Sequence, residues 1–433
     1  MSLTKGLDIF TPKEKITDIV KSRFVRYRPI TAIRDNCCIE FSIPANAFHY
    51  IDLNNVYLGL TLTMTKADGS PFTGVHTGLC DNVLASIFSQ VEFSINDFVV
   101  SPSGSSNYHP YRCYFEALLN TPTAGEMEQM QHSAGFSFRL IRRNTENIMK
   151  KLDWERMKEK ELRSLHIGLA MAMLEDQGGK DEFYGRLQTD ACTLEKFLPN
   201  GCSLRISLYP SSDAFRIITL EEEQYHLHIK DAALTLCHLE LSPSQLIKQE
   251  EQFAEGPAVY EFMKNDIRTF HVPSGSFSAE FENISGGRVP CEIIMGLVSS
   301  EGFNGSYKRD PLRFHHYNLN MLCVSVDGVS VPGPPLKPDY SGPHYMCSEA
   351  MFSLFNKDYR PVGYTIDYYG ERYCIYRFDL NGHLDCDSMP EKKNGNVRVN
   401  LNFAKPLSEG VTLVMALRFP EVFYIDKERN VFA

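Results

Sequence analysis

The stretch Phe88-Ser-Gln-Val-Glu-Phe-Ser-Ile-Asn-Asp-Phe-Val-Val-Ser-Pro102 constrains the fold of this chain more than any other. It reads as a strand, a two-residue turn at Asn96-Asp97 and a returning strand. Val91, Phe93 and Ile95 alternate with Glu92 and Ser94, the period of a sheet with one buried face. Asn and Asp accept the left-handed backbone angles that a tight hairpin needs at its tip. A second copy stands at Met321-Leu-Cys-Val-Ser-Val-Asp-Gly-Val-Ser-Val-Pro332, with Asp327-Gly328 at the turn. A chain that repeats a whole β-unit points to an internal duplication.

Other pieces repeat in the same order. Phe41-Ser-Ile-Pro-Ala-Asn-Ala-Phe48 is echoed by Phe270-His-Val-Pro-Ser-Gly-Ser-Phe277, and Leu58-Gly-Leu60 by Met295-Gly-Leu297. Tyr111-Arg-Cys-Tyr-Phe-Glu-Ala117 has a partner in Tyr345-Met-Cys-Ser-Glu-Ala350. These pairs lie about 230 residues apart, as a duplication predicts. Leu204-Arg-Ile-Ser-Leu208 matches Val397-Arg-Val-Asn-Leu401 only about 190 residues on, so the first copy carries about 40 extra residues. Residues from about 123 to 183, rich in Glu, Lys, Arg, Met and Gln, supply that piece and read as a helical insertion. Two unrelated β-domains built on the same hairpin grammar are the competing reading.

A length of 433 residues exceeds one ordinary core and suits two domains. Plentiful Phe and Tyr, a single Trp154 and scattered Gly and Pro fit many short strands joined by turns. A net charge of −10 argues against a surface that binds nucleic acid throughout, while leaving room for a local basic strip. No apolar window reaches the length of a membrane span, and Met1-Ser-Leu-Thr-Lys-Gly6 lacks a signal-peptide core. The twelve cysteines are therefore expected as thiols. The sequons at Asn283 and Asn304 would then never meet the glycosylation enzyme.

Residues 1–28 read as an N-terminal arm. Thr11-Pro12-Lys13-Glu14 has the form of a helix start, and Ile16, Ile19 and Val20 would give that helix an apolar stripe beside Lys13, Lys15 and Lys21. Arg23, Arg26 and Arg28 follow. A solvated helix docked on its own domain and a basic arm touching membrane or nucleic acid both fit. Near the middle of the chain, Ser242-Pro-Ser-Gln-Leu-Ile-Lys-Gln-Glu-Glu-Gln252 has a cap and an N1 proline, and predicts a linking helix.

Chemical motifs are sparse. His226-x-His228 shares one face of a strand, but a third metal ligand is not evident, and a surface or core-edge pair is expected. His315-His316 would point to opposite faces if extended. Cys37-Cys38 are adjacent, a poor geometry for metal or disulfide, and are expected as small buried hydrophobes. The sequence contains no CxxC pair, nucleophile elbow, Walker loop or dinucleotide fingerprint. No catalytic, cofactor-binding or metal residue is assigned.

Tyr50-Ile-Asp-Leu-Asn-Asn-Val-Tyr57, Ser86-Ile-Phe-Ser-Gln-Val-Glu-Phe-Ser-Ile-Asn96, Tyr111-Arg-Cys-Tyr-Phe-Glu-Ala-Leu-Leu-Asn120 and Gly185-Arg-Leu187 resemble the major capsid proteins of Polinton/Maverick elements and adintoviruses. So do Phe303-Asn-Gly-Ser-Tyr-Lys308, Phe314-His-His-Tyr-Asn-Leu-Asn320, Val326-Asp-Gly328 and Ile425-Asp-Lys-Glu-Arg-Asn-Val431. The resemblance implies a mainly β chain of two tandem eight-stranded jelly-roll sandwiches, a double jelly roll. The first roll would span 29–240 with the helical insertion at about 123–183, the linker helix 241–254 and the second roll 255–433. It further implies a non-enzymatic shell protein without cofactor, made without a signal peptide and assembled in cytoplasm or nucleus into a virion capsid around a DNA genome. Its partners would be itself, as pseudo-hexagonal homotrimers and between trimers, a single-jelly-roll penton protein at the vertices, and weak contacts of the arm with genome or inner shell components. The rivals are a two-jelly-roll glycan-directed hydrolase and a host-domesticated capsid descendant without assembly.

Overall fold

Both hairpins close as the turn chemistry dictates. Asn96 and Asp97 take φ of 45° and 69°, and Asp327 and Gly328 take 51° and 84°. The flanking pairs are Ile95 with Phe98 and Val326 with Val329, so each loop has two residues. The computed structural model describes residues 18–72, 77–100, 108–119, 180–219, 221–342, 345–354, 369–370, 372–380 and 389–433. Most of the insertion expected at 123–183, and the helix start at Thr11, lie outside the described residues.

Before the linker helix the strands form two four-stranded antiparallel sheets. One runs β1 (Ile19–Tyr27), β10 (Tyr225–Leu241), β3 (Tyr50–Lys66), β7 (Lys180–Arg186). Its partner runs β2 (Ile39–Ile43), β8 (Leu204–Pro210), β5 (Phe88–Ile95), β6 (Phe98–Val99), and β4 (Thr77–Leu79) pairs with β9 (Ile217–Thr219). After the helix the pattern returns. One sheet runs β11 (Ala258–Val272), β20 (Val411–Ile425), β14 (Glu292–Ser299), β17 (Ile375–Asp379), with β21 (Val431–Phe432) added to β20. The other runs β12 (Ser278–Phe281), β19 (Val397–Phe403), β15 (Leu319–Val326), β16 (Val329–Ser330), and β13 (Arg288–Val289) pairs with β18 (Lys393–Asn394). Counting only the eight strands of the four-stranded paths, both halves read 1-8-3-6 and 2-7-4-5. The fold is a double jelly roll, two such sandwiches in one chain.

The equivalence extends to single atoms at the hairpin tips. Asn96 Oδ1 accepts from the amide of Ser203 at 2.7 Å, and Asp327 Oδ1 accepts from the amide of Asn396 at 2.8 Å. Ser203 and Asn396 immediately precede β8 and β19, the strands matched by sequence.

Three expectations are corrected. Ile19–Tyr27, expected as part of a helical arm, is the first strand of the first roll. Its mixed Lys, Arg and apolar residues suit an edge strand whose exposed face and rim meet water. Residues 180–183, expected as the end of the helical insertion, begin β7 and pair with β3. The echo of Phe41 in Phe270 is not structural: Phe41 sits on the second strand of its roll and Phe270 on the first. What the two segments share is the local pattern of a strand stopped by proline.

The described α-helices up to the linker are α1 (Val83–Ser86), α2 (Tyr108–Leu119), α3 (Asp213–Arg216) and the linker itself, α4 (Pro243–Glu255). Ser242 caps α4, its Oγ accepting from Gln245 N at 3.4 Å with Pro243 in the first turn. Each roll buries the alternating faces of its sheets, Phe41, Phe93 and Ile206 in the first, Leu322, Val399 and Leu401 in the second. β14 departs furthest from alternation. Glu292–Ser299 is buried at every position, with Phe314 over Gly296 and α2 (Tyr108–Leu119) of the first roll stacked on Phe314.

Candidate functional site: the seam between the rolls

Helix α2 is short and aromatic, and its buried ridge carries Tyr111, Tyr114, Phe115 and Leu118. These rings pack onto Phe314, with Phe115 and Tyr114 stacked at centroid distances of 5.1 and 5.9 Å. Phe314 in turn fills the space over Gly296, where a Cβ would meet the ring at 2.3 Å. The glycine shared by Leu58-Gly-Leu60 and Met295-Gly-Leu297 therefore serves close approach, since Gly59 also lies under a ring, Tyr184.

The polar edge of α2 joins a chain of charges running across the second roll. Arg112 Nε donates to Asp190 Oδ1 at 2.8 Å, and its Nη1 donates to the carbonyl of Gln188 at 2.8 Å. Asp190, 1% exposed, accepts from the Asn265 side chain at 2.9 Å. Asn265 Oδ1 accepts from Arg418 Nε at 3.1 Å. Arg418 then forks, Nη2 to Glu116 Oε1 of α2 and Nη1 to Glu292 Oε2, both at 2.6 Å. Arg377 donates to the other oxygen of Glu292 and to the carbonyl of Leu354. Asn265, Arg418 and Glu292 stand opposite one another on β11, β20 and β14, so one rung presents all three to α2.

Three guanidiniums thus face three carboxylates, contributed by both rolls. Burial works against the charge on Arg418, but Glu116 and Glu292 outweigh it and hold the group well above its ordinary value. His109, on the same helix, is pushed down to about 3 by burial and by Arg112. Burial pushes Cys113 up to about 12. Both are held neutral, so neither adds an unbalanced charge to the seam.

Two further contacts tie the rolls. Arg372, after the second hairpin, donates to Asp81 of the first roll at 2.7 Å and lies 3.7 Å from Asp310. Burial raises Asp310 above the usual carboxylate range. Arg429, in the tail, donates to the carbonyl and side chain of Asn200 at 2.7 and 2.8 Å and to Glu250 of α4 at 2.9 Å. Its guanidinium lies 4.2 Å from the centroid of Phe253. The carbonyl of Arg429 accepts from Asn96 Nδ2 at 2.7 Å, so the first hairpin tip also holds the tail.

The motifs singled out in the sequence are dispersed. His226 bonds Asp213 at 2.8 Å and His228 bonds Asp35 at 2.9 Å, each its own carboxylate. Among the described residues no group of three metal-ligating side chains occurs. His315 and His316 do not diverge: their rings stack at 4.3 Å, because Tyr317 and Asn318 turn the chain with positive φ. Cys37 is exposed and Cys38 half-buried, against the expectation that both are buried. Eleven cysteines are described and all are free thiols. Sequence reasoning missed the seam. The only signal it offered was charge placed inside apolar strands, at Glu292 before Ile-Ile-Met and Arg418 after Met-Ala-Leu.

No family model matches the sequence. An uncharacterized protein of Caenorhabditis elegans is 22% identical over 429 residues, covering 90% of this chain and 92% of its own length. The structure of the Sputnik virophage matches with a TM-score of 0.59 at 11% identity, over 100% of this chain and 92% of that one. The PBCV-1 virus capsid matches with a TM-score of 0.58 at 10% identity, over 98% and 99%. The Faustovirus major capsid protein matches with a TM-score of 0.54 at 8% identity, over 96% and 92%. These likenesses run the length of both chains and establish the fold.

Proposed function

We propose that this chain is a major capsid protein whose pseudo-hexagonal homotrimers tile an icosahedral shell around a DNA genome. One observation carries the reading: two sandwiches of identical strand order are locked side by side by a buried, charge-matched seam. A rigid pair of like rolls, repeated by a threefold axis, presents six nearly equivalent sides and can tile a flat hexagonal lattice. The likeness to viral capsid structures over the whole chain supports the same reading. The work is done by buried area between copies, and no active site is required.

Within this reading the chain divides at α4, with the first roll beginning at Ile19 rather than at residue 29. The source is an element of the Polinton/Maverick and adintovirus kind, the destination is the virion, and a single-jelly-roll penton protein closes the vertices. The animal relative favours a second reading, a host-resident descendant that keeps the fold without assembling. Negative-stain imaging of the purified chain separates the two. Hexagonal outlines, lattices or closed shells support the capsid reading, and small single particles at every concentration refute it.

A further inference from the structure

The first strand of the first roll is fastened by a cluster that has no part in the seam. β1 is an edge strand, paired on one side with β10. Arg23 stands opposite His238 across that ladder, and Ile51 of β3 stands opposite His238 on its other side. Tyr27 Oη and His238 Nε2 are 3.0 Å apart. Arg23 Nη2 and His49 Nε2 are 2.8 Å apart, and the two imidazoles meet edge to face at 6.0 Å. His238 is 5% exposed. The Nδ1 atoms of both histidines are buried and have no hydrogen-bond partner.

A guanidinium can only donate, so in its contact with Arg23 the His49 Nε2 accepts. Arg23 therefore stands over the imidazole pair, and protonation of His238 places a second cation in the same buried spot. The charged groups nearby do not compensate. Glu240 stands opposite Lys21 two rungs along the ladder, and Asp52 stands opposite Cys237 on the other face of β10. Leu246 of α4 packs against the cluster of Tyr50, Cys237, Leu239 and Leu241, an apolar contact.

We propose that this cluster is an acid-operated latch: protonation of His238 detaches β1 from β10 and leaves the first roll with a three-stranded sheet. Burial, then His49 and Arg23, hold His238 below the ordinary histidine value of 6.5. A histidine lowered in this way stabilises the attached strand fully above 6.5, and that contribution is lost as pH falls below it. Opening then exposes the Cys237 and His238 edge of β10 without disturbing the seam.

Hydrogen exchange by mass spectrometry on the full chain, corrected for intrinsic rates, tests the latch. Between about pH 7.5 and about pH 5, protection over residues 19–27 is expected to fall about tenfold or more, while β14 and β20 keep theirs. His238→Phe should keep the strand protected at the lower pH. His238→Gln, which keeps a polar group beside Tyr27 but does not titrate, should reduce the fall even if the first variant folds poorly. The latch is overturned if wild-type protection over 19–27 is independent of pH. It is equally overturned if every strand loses protection together, or if His238→Gln falls as far as wild type.

Discussion

Replacing Arg418 with methionine isolates the seam. The side chain donates to Asn265, Glu116 and Glu292, from β11, α2 and β14. Methionine keeps much of the apolar stem, so packing changes little and the charge is what disappears. Glu292 is fully buried and keeps only Arg377 of the two guanidiniums described here, and Glu116 loses the partner that ties α2 to the second roll. Removing one partner of a buried ion pair costs about 3–5 kcal/mol, and the surviving Arg377 contact puts Arg418→Met near the lower end, about 3 kcal/mol. In urea this is a midpoint lowered by about 1 M, read from tyrosine fluorescence together with circular dichroism. Adding Glu292→Gln should recover part of the loss, because one uncompensated charge is then gone, and a coupling of about 1–3 kcal/mol is expected in the double-mutant cycle. A single variant within about 0.5 kcal/mol of wild type, or strict additivity in the cycle, would refute the electrostatic account of the seam.

Two other substitutions probe shape and tail. Gly296→Ala forces a methyl group into the Phe314 ring at 2.3 Å in a packed layer, whereas Gly59→Ala meets only the half-exposed Tyr184 at 3.2 Å. Thermal unfolding should show a loss of about 1–3 kcal/mol or more for the former and clearly less for the latter. Arg429→Ala removes the hydrogen bonds to Asn200 and Glu250 and the contact with Phe253, and should cost about 1–3 kcal/mol. Hydrogen exchange should then quicken in Pro243–Glu255, the helix that Arg429 holds.

What the sequence made legible was local. Asn96-Asp97 and Asp327-Gly328 declare their turns because few residues tolerate positive φ, and the alternation beside them declares which face is buried. Ser242-Pro243 declares the linker helix through capping chemistry, which also acts over three or four residues. Ile19–Tyr27 was opaque because scattered cations and apolar residues fit an exposed helix as well as an edge strand, and only the distant β10 decides between them. The echo of Phe41 in Phe270 misled for the converse reason, a shared local grammar used on different strands. The seam was invisible because its partners lie far apart in sequence, as Arg418 and Glu116 do, and no periodicity couples an arginine to a carboxylate across two domains. The latch shares that property, with Arg23, His49 and His238 gathered only by sheet pairing.

The central claim is that the paired rolls exist to assemble by threes, and the mass of the native protein tests it most directly. Sedimentation velocity across a range from nanomolar to high micromolar protein should give a species of three times the chain mass, persisting on dilution, with larger assemblies built from it. A single species of one chain mass at every concentration would contradict the account.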